Sequence, residues 1–228
     1  MKRMLLLILA VYFTASVFGQ NAEAYRVKAE EGDAVAQYNL GVCYEKGKGV
    51  EMNKFKAAEY FKKSAEQGYA KAQYTLGCYY DLGYGGTAMD KKKAFEWFQK
   101  AANQGLAEAQ YSLGMCYNTG SGVMMNKTKA IEYFRKAATQ GDADAQATLG
   151  ICYYTGNGVV MNKVQAVHWF KMAAEQGLAA AQYFLGNSYY KGEGVAIDKQ
   201  KAILWLTKAA KQGLADAKKS LQVIYDEY

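Results

Sequence analysis

The residues of this chain that could do covalent chemistry begin with one serine. Ser188-Tyr-Tyr-Lys191 matches the Ser-X-X-Lys string, in which the serine is the nucleophile of penicillin-recognising enzymes. The two companion strings of those enzymes, Ser-Asp-Asn and Lys-Thr-Gly, occur nowhere in the sequence. Because the string lacks its partners, we expect no catalytic residue in this chain.

Four cysteines and one histidine could bind a metal or form disulfides. His168 is the only histidine and no Cys-X-X-Cys pair occurs, so the sequence predicts no zinc site. Cys43, Cys116 and Cys152 share one position of a repeated segment, and Cys78 is displaced by one residue. Equivalent points on packed helices lie about 8–10 Å apart, whereas disulfide-bonded Cα atoms usually lie within about 7 Å. We therefore expect free thiols, and no metal or cofactor.

These residues lie in a segment that recurs along the chain. The phrase Gly-X-Ala-X-Ala-Gln occurs five times, and a sixth copy ends in Lys218 instead of glutamine. The glutamines are 36 or 37 residues apart, at Gln37, Gln73, Gln110, Gln146 and Gln182. A fixed period of this length indicates a repeat array, whose function is expected on an extended surface.

One unit of the array contains two predicted helices. Gln37, Leu40, Gly41 and Tyr44 are spaced for one face of a helix. Two glycines then end this helix, and Asn53 stands where the N-cap of a second helix belongs. The sequence therefore predicts an all-α fold in which antiparallel helix hairpins stack on one another.

The segment Ala34 to Val50 resembles the Sel-one-like repeat family, a relative of the tetratricopeptide repeats. It carries the pattern Ala-X-Ala-Gln-X-X-Leu-Gly-X-X-Tyr-X-X-Gly-X-Gly-Val, which recurs at Ala107 to Val123, Ala143 to Val159 and Ala179 to Val195, and in disturbed form at Ala70 to Thr87. The resemblance implies a right-handed α-solenoid that binds a protein or peptide on its concave face and is not an enzyme. Some relatives act on β-lactams or in cell-envelope assembly, so a weak β-lactam or cell-wall hydrolase and a glycan-binding or assembly factor remain alternatives.

The chain is expected to begin with a bacterial signal peptide at residues 1–19, because Lys2 and Arg3 precede an apolar run and small residues. The run of about 15 residues is shorter than the ~20 that span a membrane. We therefore expect export to the periplasm or medium, with no stable membrane insertion after cleavage. The mature chain divides into an N-terminal capping helix, five repeats that together cover 33–213, and a C-terminal capping helix, with boundaries 20–32, 33–68, 69–105, 106–141, 142–177, 178–213 and 214–228.

The charge of the chain is mildly basic and evenly mixed. The net charge is +7, and loss of the signal peptide removes two of these charges. Acidic residues are interleaved with the lysines and no long run of like charge occurs, which argues against nucleic-acid binding. We expect a monomer with a protein or peptide partner.

The side of each first helix that points away from its hairpin partner is the predicted binding surface. In the related tetratricopeptide fold these positions line the concave face. They change from repeat to repeat here and are rich in tyrosine, which suits protein binding. Tyrosines at the position of Tyr38 could instead fill gaps between neighbouring first helices, and the surface does not separate peptide from glycan. We call the candidate residues the variable stripe: Tyr38, Val42, Tyr74, Cys78, Tyr111, Met115, Ile151, Tyr154, Tyr183, Asn187 and Tyr190.

Overall fold

The computed structural model describes residues 22–227 of the chain, and this part consists of helices joined by short loops. Helix α1 covers 22–30 of the described residues. The helices that follow are α2 (Ala34–Lys46), α3 (Lys54–Glu66), α4 (Ala70–Leu82), α5 (Lys91–Asn103), α6 (Ala107–Thr119), α7 (Lys127–Thr139), α8 (Ala143–Thr155), α9 (Lys163–Glu175), α10 (Ala179–Lys191), α11 (Lys199–Lys211) and α12 (Ala215–Asp226). Helices α2 to α11 form five hairpins, so the predicted all-α fold of helix hairpins is confirmed.

Capping side chains fix where each second helix of a hairpin begins. The side chain at the N-cap accepts a hydrogen bond of 2.9–3.0 Å from the backbone N–H three residues later. These N-caps are the five predicted ones, Asn53, Asp90, Asn126, Asn162 and Asp198. First helices end at a left-handed glycine, as at Gly47, where φ is +64°. Local start and stop signals therefore set the hairpin boundaries.

A glycine in each first helix allows the two helices of a hairpin to pack closely. A Cβ atom on Gly150 would lie 2.6 Å from the Phe170 ring and 3.3 Å from the carbonyl oxygen of Ala166. The first distance is shorter than any ordinary carbon contact, so only glycine fits while Phe170 keeps its place. Phe170 is fully buried. This contact explains why a residue that costs helix propensity recurs at this position.

In four of the first helices, α2, α4, α8 and α10, a buried glutamine joins the helix to the helices on both sides. The side chain of Gln146, which is 1% exposed, donates from Nε2 to the carbonyl oxygen of Ala138 at 3.0 Å. Its Oε1 accepts from Nε2 of Gln176 at 2.8 Å. The same pair of bonds is present at Gln37, Gln73 and Gln182. The recurrent glutamine is therefore a packing residue, as its place in the phrase predicted.

Two compact units divide the described residues, one ending at Ala109 and the other beginning at Gln110. In the first unit, the second helix α3 packs against the first helix α4 of the next repeat. In the second unit, α7 packs against α8, α9 against α10, and α11 against α12. Each unit therefore has a core of its own made of buried Ala, Leu and Phe residues.

The predicted signal peptide at residues 1–19 lies outside the described residues. Among residues 22–227, no helix combines the length and the apolar character needed to cross a membrane. Helix α12 covers most of the predicted C-terminal capping helix and has Lys218 where the other repeats have the buried glutamine.

Replacing Gln146 by alanine should destabilise the fold markedly. The change removes two hydrogen bonds at a buried site and leaves a cavity, which together cost about 2–4 kcal/mol. Thermal and urea unfolding followed by circular dichroism measure the loss. Gln176→Ala is the comparison variant: it removes the bond to Gln146 and a bond to the carbonyl oxygen of Gly141, but it shortens an exposed side chain and leaves no cavity, so it should cost less than Gln146→Ala. A loss no larger in Gln146→Ala than in Gln176→Ala would contradict the role of the buried glutamine.

Candidate functional site

The tyrosines of the variable stripe are half-buried, and three of them rest on the phenylalanine of the second helix in their own hairpin. Ring centroids lie 5.5 Å apart for Tyr38 and Phe61, and 5.8 Å apart for Tyr74 and Phe98. Tyr111 lies 5.7 Å from the Phe134 ring. These tyrosines therefore contribute to packing within the hairpin, and they also leave part of each ring at the surface.

The first unit has a cavity of about 390 Å³ on the variable stripe. Tyr74 and Cys78, both predicted as site residues, lie on its wall. The remaining lining residues are Glu45, Thr75, Tyr79, Leu82 and Tyr84. Burial raises the pKa of the Cys78 thiol, so the thiol is protonated at neutral pH. The cavity is therefore mostly apolar, with one carboxylate at its edge.

Tyr79 was not predicted as a site residue, but it forms the floor of this cavity. It is buried, and its hydroxyl donates to Glu45 of the preceding repeat at 2.9 Å. Burial and this bond raise the pKa of Tyr79 well above its usual range. In the first, third and fourth repeats the equivalent residue is a cysteine, as at Cys43. That exchange of residue type is the sequence signal that could have identified Tyr79.

The second repeat has one residue more than the first, in the loop of residues 83–87, and this loop packs directly against the site. A Cβ on Gly85 would lie 2.7 Å from the Tyr79 ring, and one on Gly86 would lie 2.5 Å from the Phe55 ring. The Lys54 ammonium lies 4.5 Å from the centroid of the Tyr84 ring. The insertion therefore makes room for the larger ring at position 79 and adds Tyr84 to the cavity wall.

The second unit has another cavity, of about 270 Å³, between first helix α10 and its neighbours. Aromatic rings form much of its wall, together with the amide of Asn187, the ammonium group of Lys191 and the hydroxyl of Ser220. The lining residues are Tyr154, Tyr183, Phe184, Asn187, Tyr190, Lys191, Ser220 and Val223. Four predicted site residues therefore meet here, together with residues of the terminal helix α12.

A carboxylate from the following repeat holds the hydroxyl of Tyr154. Glu193 accepts a hydrogen bond from Tyr154 and pairs with Lys163 at 2.5 Å. These two donors keep the pKa of Glu193 below its ordinary value, and the bond to Glu193 raises the pKa of Tyr154 to about 12. The Tyr154 hydroxyl is therefore committed to a structural contact.

Tyr190 has the same arrangement one repeat later. Its hydroxyl donates to Glu227, which also pairs with Lys199 at 2.9 Å. The pKa of Glu227 is lowered by the same two kinds of donor. Tyr154 and Tyr190 are both predicted site residues, and the structure places their rings in the cavity wall while their hydroxyls are bonded to Glu193 and Glu227.

Three further stripe residues are aliphatic or contain sulfur and lie outside these two cavities. Val42 and Met115 are half-buried, and Ile151 is exposed on α8. Ile151 is therefore an aliphatic contact that a partner could reach without any rearrangement.

The residues with potential for covalent chemistry are placed unfavourably for catalysis. Ser188 is 1% exposed, and its hydroxyl donates to the carbonyl oxygen of Phe184 at 2.8 Å. Lys191 lies at the surface one turn further on. His168 is exposed beside Trp169. A buried serine with a committed hydroxyl cannot attack a substrate without rearrangement, which argues against the Ser-X-X-Lys interpretation.

All four cysteines lie within the described residues and carry free thiols. Cys43, Cys116 and Cys152 are buried, whereas Cys78 is half-buried. Within residues 22–227, no group of three or more His, Cys, Asp and Glu side chains could hold a metal ion.

Comparison with known proteins gives the family of these hairpins. The family model described as Sel1 repeat matches residues 34–69, 70–106, 107–142, 143–178 and 179–214. The chain belongs to the Sel1 repeat family. Sel1 repeat proteins are generally scaffolds for protein–protein interaction and are typically not enzymes. The comparison with curated proteins finds no match.

Solved structures of Sel1 repeat proteins have the same fold. A Sel1 repeat protein from Oxalobacter formigenes is 36% identical, with a TM-score of 0.84 over 96% of this chain and 87% of that one. The protective antigen c5321 of uropathogenic Escherichia coli is 32% identical, with a TM-score of 0.67 over 90% of this chain and 52% of that one. The predicted α-solenoid fold class is therefore confirmed.

Alkylation should distinguish Cys78 from the other three cysteines. N-ethylmaleimide should add to Cys78 in the folded protein, because this thiol lines a cavity and is half-buried, whereas the other three are buried. The raised pKa makes the reaction slower than that of a free thiol, since the thiolate is the nucleophile. Intact mass should show one adduct before unfolding and four after it. Cys78→Ser should show none in the folded state, and rapid labelling of Cys116 or Cys152 would contradict the described packing.

Glu193 should make the stability of the second unit depend on pH. A carboxylate whose folded-state pKa is lowered stabilises the fold above its unfolded-state pKa, and this contribution is lost as the pH falls through the folded-state value. Glu193→Gln should therefore lower the melting temperature at pH 7. The difference from wild type should shrink as the pH falls below 4.5. Glu175→Gln, which removes only an exposed pair at 3.9 Å, is the control and should change little. A difference that persists at pH 2 would exclude the charge as its cause.

Proposed function

We propose that this protein is an exported, non-enzymatic adaptor that binds peptide segments of partner proteins along the variable stripe. The observation that carries the proposal is the contrast between the two sides of the first helices. The packing side repeats the same Gln, Leu and Gly in all five hairpins, whereas the stripe differs in each. A surface with fewer packing demands than the opposite side is the part of a repeat scaffold that can acquire specificity.

Both cavities lie on this stripe and have the composition of protein-binding sites. Each combines aromatic walls with a few polar groups at the edge. Tyrosine offers a large contact area at low cost in side-chain entropy, and it is enriched at the energetic centres of interfaces. Export is proposed from the sequence of residues 1–19 alone, which places the partner in the periplasm or outside the cell.

A pair of aliphatic-to-acid substitutions tests the proposal. Ile151 and Val164 are both exposed, at 37% and 64%, but Ile151 lies on the stripe and Val164 lies on a second helix. Ile151→Asp should abolish capture of partner proteins from the native cell envelope, because a carboxylate must then be desolvated at the interface. Val164→Asp should leave the captured set unchanged.

Mass spectrometry of the captured proteins is the readout, and circular dichroism melting checks that both variants are folded. Capture that survives Ile151→Asp, or that is lost equally in both variants, would count against the stripe as the binding surface. Nitrocefin turnover that disappears in Ser188→Ala would overturn the non-enzymatic part of the proposal.

A further inference from the structure

We propose that the cavity of the second unit binds an acidic segment of a partner protein, taking one apolar side chain between its tyrosines while a neighbouring carboxylate of the partner pairs with Lys191. The inference rests on the proposed function and narrows it to one class of partner segment. Four features of the cavity support it: its size, its free polar groups, the charges at its rim, and its contrast with the cavity of the first unit.

The size of the cavity fits one side chain. Its volume is about 270 Å³, at or below the lower end of the roughly 300–1,000 Å³ range of small-molecule pockets. Tyr154, Tyr183, Phe184 and Tyr190 supply most of its wall, so the inserted group is apolar. Phe184 is held by stacking on Phe170, with ring centroids 5.1 Å apart. A rigid aromatic wall of this kind receives a single residue of a chain at low entropy cost.

Three polar groups of the cavity wall are left for a ligand. Among residues 22–227, the Asn187 amide and the Ser220 hydroxyl form no hydrogen bond, and Lys191 forms no ion pair. An amide offers two donors and one acceptor, which match the N–H and C=O groups of a peptide backbone. The stripe positions equivalent to Asn187 in the other repeats are Val42, Cys78, Met115 and Ile151, none of which could do this.

The charges around the cavity favour a negatively charged partner. Glu193 and Glu227 lie near its rim, but Lys163 and Lys199 neutralise them at 2.5 Å and 2.9 Å. Lys191 also lies near enough to Glu193 to lower its pKa, so three lysines stand beside two carboxylates and the rim keeps a net positive charge. Lys191 is exposed, whereas the aromatic residues of the wall are half-buried. A partner carboxylate that pairs with Lys191 therefore lies beside the inserted apolar side chain, as an Asp or Glu next to that residue in the partner sequence would.

The cavity of the first unit has the opposite character. Its wall includes the Glu45 carboxylate, which accepts the Tyr79 hydroxyl, and no lysine lines it. An acidic segment would be repelled there. The two cavities therefore provide an internal comparison within one protein, since both are aromatic but only one carries an uncompensated positive charge.

A random octapeptide library displayed on phage tests the inference with the full chain immobilised. Selections are run on the wild type, on Lys191→Glu and on the control Lys171→Glu, whose lysine pairs with Glu175 on the exposed face of α9. The wild type and the control should enrich Leu, Ile, Met or Phe flanked by Asp or Glu. Lys191→Glu should lose the acidic preference.

Affinities of the selected peptides, synthesised with blocked termini, measure the size of the effect. Lys191→Glu should weaken the wild-type peptides about threefold to tenfold, and the control by less than about twofold, as expected for an exposed ion pair. About 0.5 M salt should remove most of the difference, because the Debye length then falls to a few Å. Melting curves confirm that all three proteins are folded.

Each other outcome overturns the inference in a recognisable way. Enrichment of apolar peptides without acidic neighbours, sensitive to Ile151→Asp, would leave the proposed function standing and remove the role of Lys191. Selected peptides that bind only when they are also synthesised with a free C-terminal carboxylate would show that a chain end, not an internal acidic segment, is recognised. Absence of any stripe-dependent enrichment would count against both proposals.

Discussion

Within each compact unit, a glutamine side chain shared by three helices holds a repeat to the helix before it. The last carbonyl groups of a helix lack partners within the helix. In the second unit, the carbonyl oxygen of Ala138, near the end of α7, accepts a bond from Gln146 on the next helix. The oxygen of the same Gln146 side-chain amide accepts a hydrogen bond from Nε2 of Gln176. One buried side chain thus satisfies the end of one second helix and fixes the end of the next.

This constraint determines which surface is free to vary. The glutamine, the leucine three residues later and the glycine after that all face the second helices, where Phe170 leaves no room for a Cβ at Gly150. Substitutions on that side disturb two neighbouring interfaces at once. The other side of the first helix is half-buried to exposed, as at Ile151, so changes there disturb less of the packing. Specificity can therefore accumulate on the variable stripe.

Tyrosine suits the boundary between these two sides. The ring of Tyr38 packs on Phe61 and on Tyr69, while the rest of the side chain reaches the surface. A residue of this kind contributes to the core and to a binding face together. The two interpretations of the tyrosine column, gap filling and ligand contact, are thus not exclusive for the same side chain.

The fold could be predicted from the sequence because its determinants are local and repeated. Capping residues such as Asn53 and Asn162 act on a backbone N–H three positions away, and a period of 36 or 37 residues sets the hairpin length. The site could be predicted only as a face of one helix. Glu45 bonds Tyr79 across 34 positions, and Glu193 bonds Tyr154 across 39. A helical wheel contains neither contact, because each joins two repeats through side-chain conformations that the period does not fix.

Both cavities lie where the sequence departs from the repeat pattern. In the second repeat, a tyrosine replaces the buried cysteine and an added loop residue makes room for its ring, since Gly85 lies against Tyr79. In the second unit, the terminal helix α12 contributes Ser220 and Val223 to the wall. Helix α12 also has Lys218 in place of the shared glutamine, and it packs against α11 and α10. Its remaining surface can serve as the wall of a binding cavity.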